Sequence, residues 1–188
     1  GTIAEFASEK AGIIKAGCPV ITSTEREEAM EVFYKKAKEV GADLYDSCRL
    51  PCRVISEGMN GSRFVTEISG NTYEIEISML GSHQIQNALA ALQALVLLKE
   101  SGALEISDGA IREGFRKAKH IGRLEVLNVD PLILIDGAHN ADGAKALKQT
   151  VQKLFGGKSV LMTVGMLADK EIDDMLDSFM DITGNFIA

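Results

Sequence analysis

Pro131-Leu132-Ile133-Leu134-Ile135-Asp136-Gly137-Ala138-His139-Asn140 is a short apolar run that stops at an acid, a glycine, a histidine and an amide. A run of this length between Pro and Gly reads as a buried strand. Downstream, Ala141–Phe155 has helical periodicity, 159–164 reads as a strand, 170–180 as a helix and 186 onward as a strand again. Strands alternating with helices imply an α/β fold with a parallel sheet and right-handed crossovers. In such sheets ligands bind at the carboxyl ends of strands, where Asp136 and His139 stand.

Upstream of Gly122 the pattern differs. Positions 3–10 read as the end of a helix, broken by Gly12 and Gly17. A short strand is expected at 19–22, an amphipathic helix at 25–40 closed by Gly41, and a strand at 43–45. Residues 52–78 alternate in the strand manner, with hairpin turns at Asn60-Gly61 and Ser69-Gly70-Asn71. Ile85, Ala88, Leu89, Leu92, Leu95 and Val96 recur at helical spacing, so 84–99 is a helix packed inside its domain. A further helix is expected at 107–117 with Ser107 as its N-cap. The change of pattern places a domain boundary near 120–123, giving domains 1–121 and 122–188.

The chain has 188 residues, 46% of them hydrophobic, which suffices for one or two compact domains. Its net charge is −7 and no lysine- or arginine-rich block occurs, which argues against nucleic-acid binding. Cys18, Cys48 and Cys52 are an odd set without a second Cys/His pair, which argues against zinc and for a reducing, cytoplasmic setting. No apolar run approaches the roughly 20 residues that span a bilayer. The chain starts at Gly1 without an initiator Met and stops in strand-like sequence, so a piece of a longer protein is expected.

Several polar residues stand out, each with a plain and a functional reading. Asp136 either ends its strand or accepts hydrogen bonds from ribose hydroxyls, while Asn140 caps the next helix. His139 is placed to contact a phosphate or to move a proton near neutral pH. Arg123 is either a solvated surface charge or a guanidinium that clamps a phosphate or stacks on a base. Asn87 either caps its helix or reads adenine through its carboxamide. Lys10 is either an ordinary surface cation or, among Ala11, Gly12, Ile13 and Ile14, a partly buried amine that loses its charge. A neutral amine can add carbon dioxide to give a carbamate, an oxygen ligand suited to Mg²⁺. No Gly-x-x-x-x-Gly-Lys-Ser/Thr loop occurs in the chain.

Four blocks carry a resemblance: Glu9-Lys10-Ala11-Gly12-Ile13-Ile14-Lys15 within 2–17, Gly81-Ser82-His83-Gln84-Ile85-Gln86-Asn87-Ala88, Gly122-Arg123-Leu124-Glu125, and Asp136-Gly137-Ala138-His139-Asn140. With the 165–170 segment, they resemble the folylpolyglutamate synthases, including the bifunctional dihydrofolate synthases, of the Mur ligase superfamily. The resemblance covers essentially the whole chain. It implies the end of a Mur-type ATPase domain followed by part of a Rossmann-like glutamate ligase domain. The implied activity is ATP-dependent addition of L-glutamate to a folate or dihydropteroate carboxylate through an acyl phosphate. Asn87, Arg123 and Asp136 would then hold ATP. Lys10 would be a carbamylated lysine near Mg²⁺, and His139 would lie near the γ-phosphate or the incoming glutamate. The family's phosphate loop and its other metal ligands have no counterpart here, so residues 1–188 alone are expected to be inactive, and the full-length enzyme to be a monomer. The tryptophan often found before the Gly-Arg element is replaced by Lys119-His120-Ile121. The rivals are another Mur-type ligase acting on a peptidoglycan precursor, and a non-catalytic nucleotide-binding module.

Overall fold

The computed structural model describes residues 1–166 and 172–187. The fold is mixed α/β. Helix α1 (Ile3–Ala11) begins with a complete capping box: Glu5 N–H donates to Thr2 Oγ1 and Thr2 N–H to Glu5 Oε2. The segment read as a helix end is therefore a whole short helix. Strand β1 (Val20–Thr22) pairs in parallel with β2 (Leu44–Asp46), and helix α2 (Glu27–Val40) connects them. Gly41 closes α2 in the left-handed conformation, as its sequence position implies. Ala11, Ile14 and Ala37 form the buried centre of this region, packed by Val20, Val32, Phe33, Val40, Ala42 and Leu44.

Strands β3 (Cys52–Gly58), β4 (Gly61–Ile68) and β5 (Asn71–Ile77) form a three-stranded sheet in chain order. The two turns anticipated at 60–61 and 69–71 connect them. Helix α3 (Ser82–Glu100) buries Ile85, Leu89, Leu92 and Val96, the stripe read from its periodicity. Helix α4 (Asp108–Lys117) starts where Ser107 Oγ accepts from Ala110 N–H.

Beyond Gly122 the expectation needs correction. Strand β6 (Glu125–Val129), not foreseen, pairs antiparallel with β7 (Leu132–Ile135) around the turn at Asp130-Pro131. Glu125 to Val129 mixes apolar with polar residues, so it lacks the continuous apolar signature that exposes β7 in sequence. β7 is not buried either: Leu132, Ile133 and Ile135 are 37–46% exposed. Among the described residues its one ladder is to β6. The parallel arrangement appears further on, where β8 (Met162–Thr163) pairs with β9 (Phe186–Ile187). Helices α5 (Ala141–Phe155) and α6 (Ile172–Met180) pack through Ala144, Met175 and Phe179, and Leu147, Met162 and Phe186 border that core. The expected start of the last helix at 170 lies outside the described residues, as does most of the 165–170 segment.

The chain forms two compact units. One comprises residues 1–53, 64–75 and 86–114, and the other 54–63, 76–85 and 115–188.

Candidate functional site

The second unit contains Arg123, Asp136 and His139, together with His83. Asp136 follows the last residue of β7, and its carboxylate reaches in two directions. Oδ2 accepts from Leu124 N–H at 2.8 Å and Oδ1 from Ala138 N–H at 2.8 Å. Gly137 N–H donates to Gly122 carbonyl oxygen at 2.7 Å. The end of β7 and the turn before β6 are thus tied together by two bonds, and the third, from Ala138, turns the chain after Asp136.

The Gly-Arg-Leu-Glu block acquires a physical meaning from this clasp. Gly122 sits at φ 71°, in the left-handed region that glycine enters without strain. Its N–H donates to Glu125 Oε2 at 2.9 Å. Leu124 also has positive φ, 46°, an uncommon conformation for a branched side chain. Its side chain is buried and its N–H is the one Asp136 holds. Arg123 therefore stands between two backbone positions fixed by carboxylates. Its guanidinium is half-buried, and no described residue takes it in a hydrogen bond or ion pair. A cation so placed, with five donors in a rigid fork, is set up for an external anion or a flat ring.

Asp136 does two jobs in the sequence reading, and the geometry accommodates both. Each carboxylate oxygen has two lone pairs, so oxygens that each hold one backbone N–H retain capacity for a hydroxyl. His139 is exposed. Its Nδ1 lies 2.9 Å from Gly137 carbonyl oxygen. A carbonyl can only accept, so Nδ1 carries the proton and Nε2 of the neutral ring bears the lone pair. Asn140 caps α5, accepting from Gly143 N–H at 2.8 Å, as anticipated.

Sequence reasoning missed a polar cluster at the start of α3. Glu57, on β3, has a side chain only 8% exposed. It accepts from Lys153 Nζ at 2.6 Å and from Ser82 Oγ at 2.7 Å. Burial pushes its carboxyl up, but the hydrogen bonds from Lys153 and Ser82 and the lysine's charge outweigh it and hold the pKa below its ordinary value. His83 follows immediately. Burial lowers its pKa, Arg123 adds to that, and Asp136 and Glu57 oppose it. Its ring lies against Gly81, where an added Cβ would fall 2.7 Å from Cε1 and 2.8 Å from Thr150 Oγ1. Only a residue without a side chain fits there. His83 within the Gly-Ser-His-Gln block was a usable signal; Glu57 and Lys153 are 96 residues apart and offered none.

The first unit contains Lys10 and Asn87. Asn87 is exposed, near the start of α3. Lys10 is in the last turn of α1, where its charge complements the helix dipole. It is exposed, so the expected burial among apolar neighbours does not occur: Ile13 is itself 82% exposed. Lys10 does border a cavity of about 420 Å³ shared with Ile14, Thr22, Ser23, Thr24 and Phe33. Among the described residues, no group of three His, Cys, Asp or Glu side chains stands ready to hold a metal ion, and no helix is long and apolar enough to cross a membrane. The three cysteines are free, and burial raises the thiol pKa of Cys48 and Cys52.

Residues 122–184 match the model of the Mur ligase glutamate ligase domain. The dihydrofolate synthase/folylpolyglutamate synthase of Bacillus subtilis is 35% identical over 178 residues, covering 93% of this chain and 41% of that protein. The chain is a homologue of the folylpolyglutamate synthases of the Mur ligase family. The crystal structure of folylpolyglutamate synthase from Thermotoga maritima matches with a TM-score of 0.81 and 34% identity, over 98% of this chain and 44% of that one. A folylpolyglutamate synthase complex with AMPPCP and folate matches with a TM-score of 0.86 and 31% identity, over 98% of this chain and 45% of that one. The resemblance read from the four blocks is thus met. The chain spans about two fifths of the length of the curated relatives it matches.

Proposed function

We propose that this chain is part of an ATP-dependent ligase that joins L-glutamate to a folate or dihydropteroate carboxylate through an acyl-phosphate intermediate. The observation that carries the reading is the clasp at Asp136, which presents a half-buried Arg123, without a partner among the described residues, beside a strand end. A relative solved with AMPPCP and folate supports it. In this reading residues 1–121 are the later part of the ATP-binding domain and 122–188 the first part of the glutamate ligase domain; the match beginning at 122 agrees with that division.

Each residue type, taken by itself, suits the adenosine end of ATP. Arg123 supplies a fixed fork of donors, Asp136 spare lone pairs for ribose hydroxyls, and Asn87 a carboxamide for adenine. The bound nucleotide would supply the activating phosphoryl group. His139, oriented by Gly137, would hold a lone pair at Nε2 toward the incoming glutamate amine; toward a γ-phosphate oxygen, itself an acceptor, Nε2 would have to carry a proton. The fit for Mg²⁺ is poorer, since the described residues offer no ligand cluster. Lys10 as a carbamate would contribute oxygens near the metal, although its exposure removes the burial that would favour the neutral amine. Residues 1–188 hold no phosphate-loop motif, so this stretch alone is proposed not to turn over ATP. The longer enzyme is proposed to be cytoplasmic and monomeric.

The test is a substrate panel on the longer enzyme, with dihydropteroate, folates and muramyl precursors offered alongside ATP and labelled glutamate. Ligation confined to the pterin substrates is expected. Ligation of muramyl precursors alone would favour the peptidoglycan reading. ATP- and glutamate-dependent ligation by residues 1–188 would overturn the claim of inactivity.

A further inference from the structure

Glu125 has no part in the functional reading so far, yet it holds the residue before Arg123. It is the first residue of β6 and lies opposite Ile135, the last of β7. From there its carboxylate reaches back to accept from Gly122 N–H at 2.9 Å. Arg123 N–H donates to His120 carbonyl oxygen at 3.2 Å, which closes the turn 120–123. Leu124 N–H is held by Asp136 at 2.8 Å. Three successive N–H groups are thus taken, two of them by carboxylates. The two flanks of Arg123 are held differently. Leu124 is fixed by its buried side chain as well as by Asp136. Gly122, at φ 71°, has no side chain to pack, and an added Cβ would meet nothing within 4 Å. Hydrogen bonds alone hold it: its N–H to Glu125, and its carbonyl oxygen from Gly137 N–H at 2.7 Å.

The charge of Glu125 makes this arrangement informative. A carboxylate bonded next to an arginine is a natural partner for the guanidinium, and such a pair would occupy the fork. Both carboxylates instead hold backbone, and among the described residues the guanidinium has no partner. The charge also works against an anion near Arg123, through Coulomb repulsion. A carboxylate beside an anion site is therefore explained by what it holds in place. By holding Gly122 it fixes the direction in which Arg123 leaves the turn, and the ordering cost of the guanidinium is met before any ligand arrives.

We propose that Glu125 is a positioning residue for nucleotide binding: it pins Gly122, thereby pre-sets the Arg123 guanidinium, and does not touch the ligand. This rests on the reading of Arg123 as a nucleotide contact. The test is calorimetric titration of the longer enzyme with AMPPCP, each variant first checked for folding by a denaturant melt. Arg123→Ala is expected to weaken binding at least about tenfold, as loss of a charged hydrogen bond does. Glu125→Ala is expected to weaken it roughly fivefold, the ordering cost of one freed side chain. Removal of a negative charge alone would act in the opposite direction, so the sign is diagnostic. Glu125→Gln keeps an acceptor for Gly122 N–H and sheds the charge, and is expected to bind at least as tightly as the wild type. The double variant Glu125→Ala/Arg123→Ala is expected to bind no more weakly than Arg123→Ala, because Glu125 acts only through Arg123. Gly122→Ala strains the same turn without a clash and is expected to weaken binding only while Arg123 is present. Unchanged or tighter binding by Glu125→Ala, alongside a loss with Arg123→Ala, would overturn the proposal and leave the reading of Arg123 standing. Additive losses in the double variant, or a loss with Glu125→Gln as large as with alanine, would overturn it as well. No loss with Arg123→Ala would overturn the reading of Arg123, and the proposal with it.

Discussion

The turn around Arg123 and the helix end bearing Lys10 present candidate functional cations in opposite ways. Arg123 is half-buried, and the backbone on both sides of it is fixed by Glu125 and Asp136. Lys10 is exposed at the last turn of α1, and no described residue holds its ammonium. The contrast separates a group pre-set by the fold from one whose position is decided by whatever binds it. Pre-setting lowers the ordering cost of binding, and for a fixed guanidinium that cost is met during folding.

The largest expected effect comes from opening the clasp. Asp136→Ala leaves two partly buried N–H groups without their carboxylate and releases Leu124 from its positive-φ conformation. A loss of about 3 kcal/mol in a denaturant melt is expected, together with loss of nucleotide contact. A change within about 0.5 kcal/mol would show that the two bonds do not hold the turn.

Next is the Glu57 cluster. Glu57→Gln weakens the bonds from Lys153 and Ser82 and is expected to cost about 1 kcal/mol at pH 7. The sign with pH follows from the depressed carboxyl. Its contribution is present above the unfolded-state value near 4.5 and is lost as pH falls through the lower folded value. Melts of wild type and variant are therefore expected to converge in acid and separate toward neutral pH. The same gap at every pH would contradict the assignment.

A smaller effect tests whether His83 senses the clasp. Arg123 lowers the His83 pKa and Asp136 raises it. In NMR titrations, Arg123→Ala is expected to move the His83 midpoint up and Asp136→Asn to move it down, from a wild-type value already below 6.5. Shifts of the same sign would exclude the arrangement. The smallest effect belongs to the other region. Lys10→Ala is expected to change stability by less than about 0.5 kcal/mol, as for a surface residue. A substantially larger loss would show that Lys10 is held by the fold after all.

Much of this was legible in the sequence, and the exceptions have physical causes. α2, α3 and α5 announced themselves by periodicity and caps, because those signals are local. β6 did not, since Glu125 to Val129 alternates imperfectly and gains its partner only through the turn at Asp130-Pro131. Asp136 and His139 were singled out from their place at a strand end, and Arg123 from its place after Gly122 at the expected domain boundary. What could not be read was that the carboxylate of Asp136 reaches back twelve residues to Leu124. Glu57 and Lys153 were invisible for the same reason: their contact depends on what tertiary packing brings near.

The clasp is most directly tested by amide hydrogen exchange at Leu124 and Ala138. Both N–H groups are expected to be protected in the wild-type chain and to lose protection together in Asp136→Ala, while Gly143, held by Asn140, keeps its own. Free exchange at Leu124 and Ala138 in the wild type, or loss at only one of them in the variant, would contradict a single carboxylate holding both sides of the site.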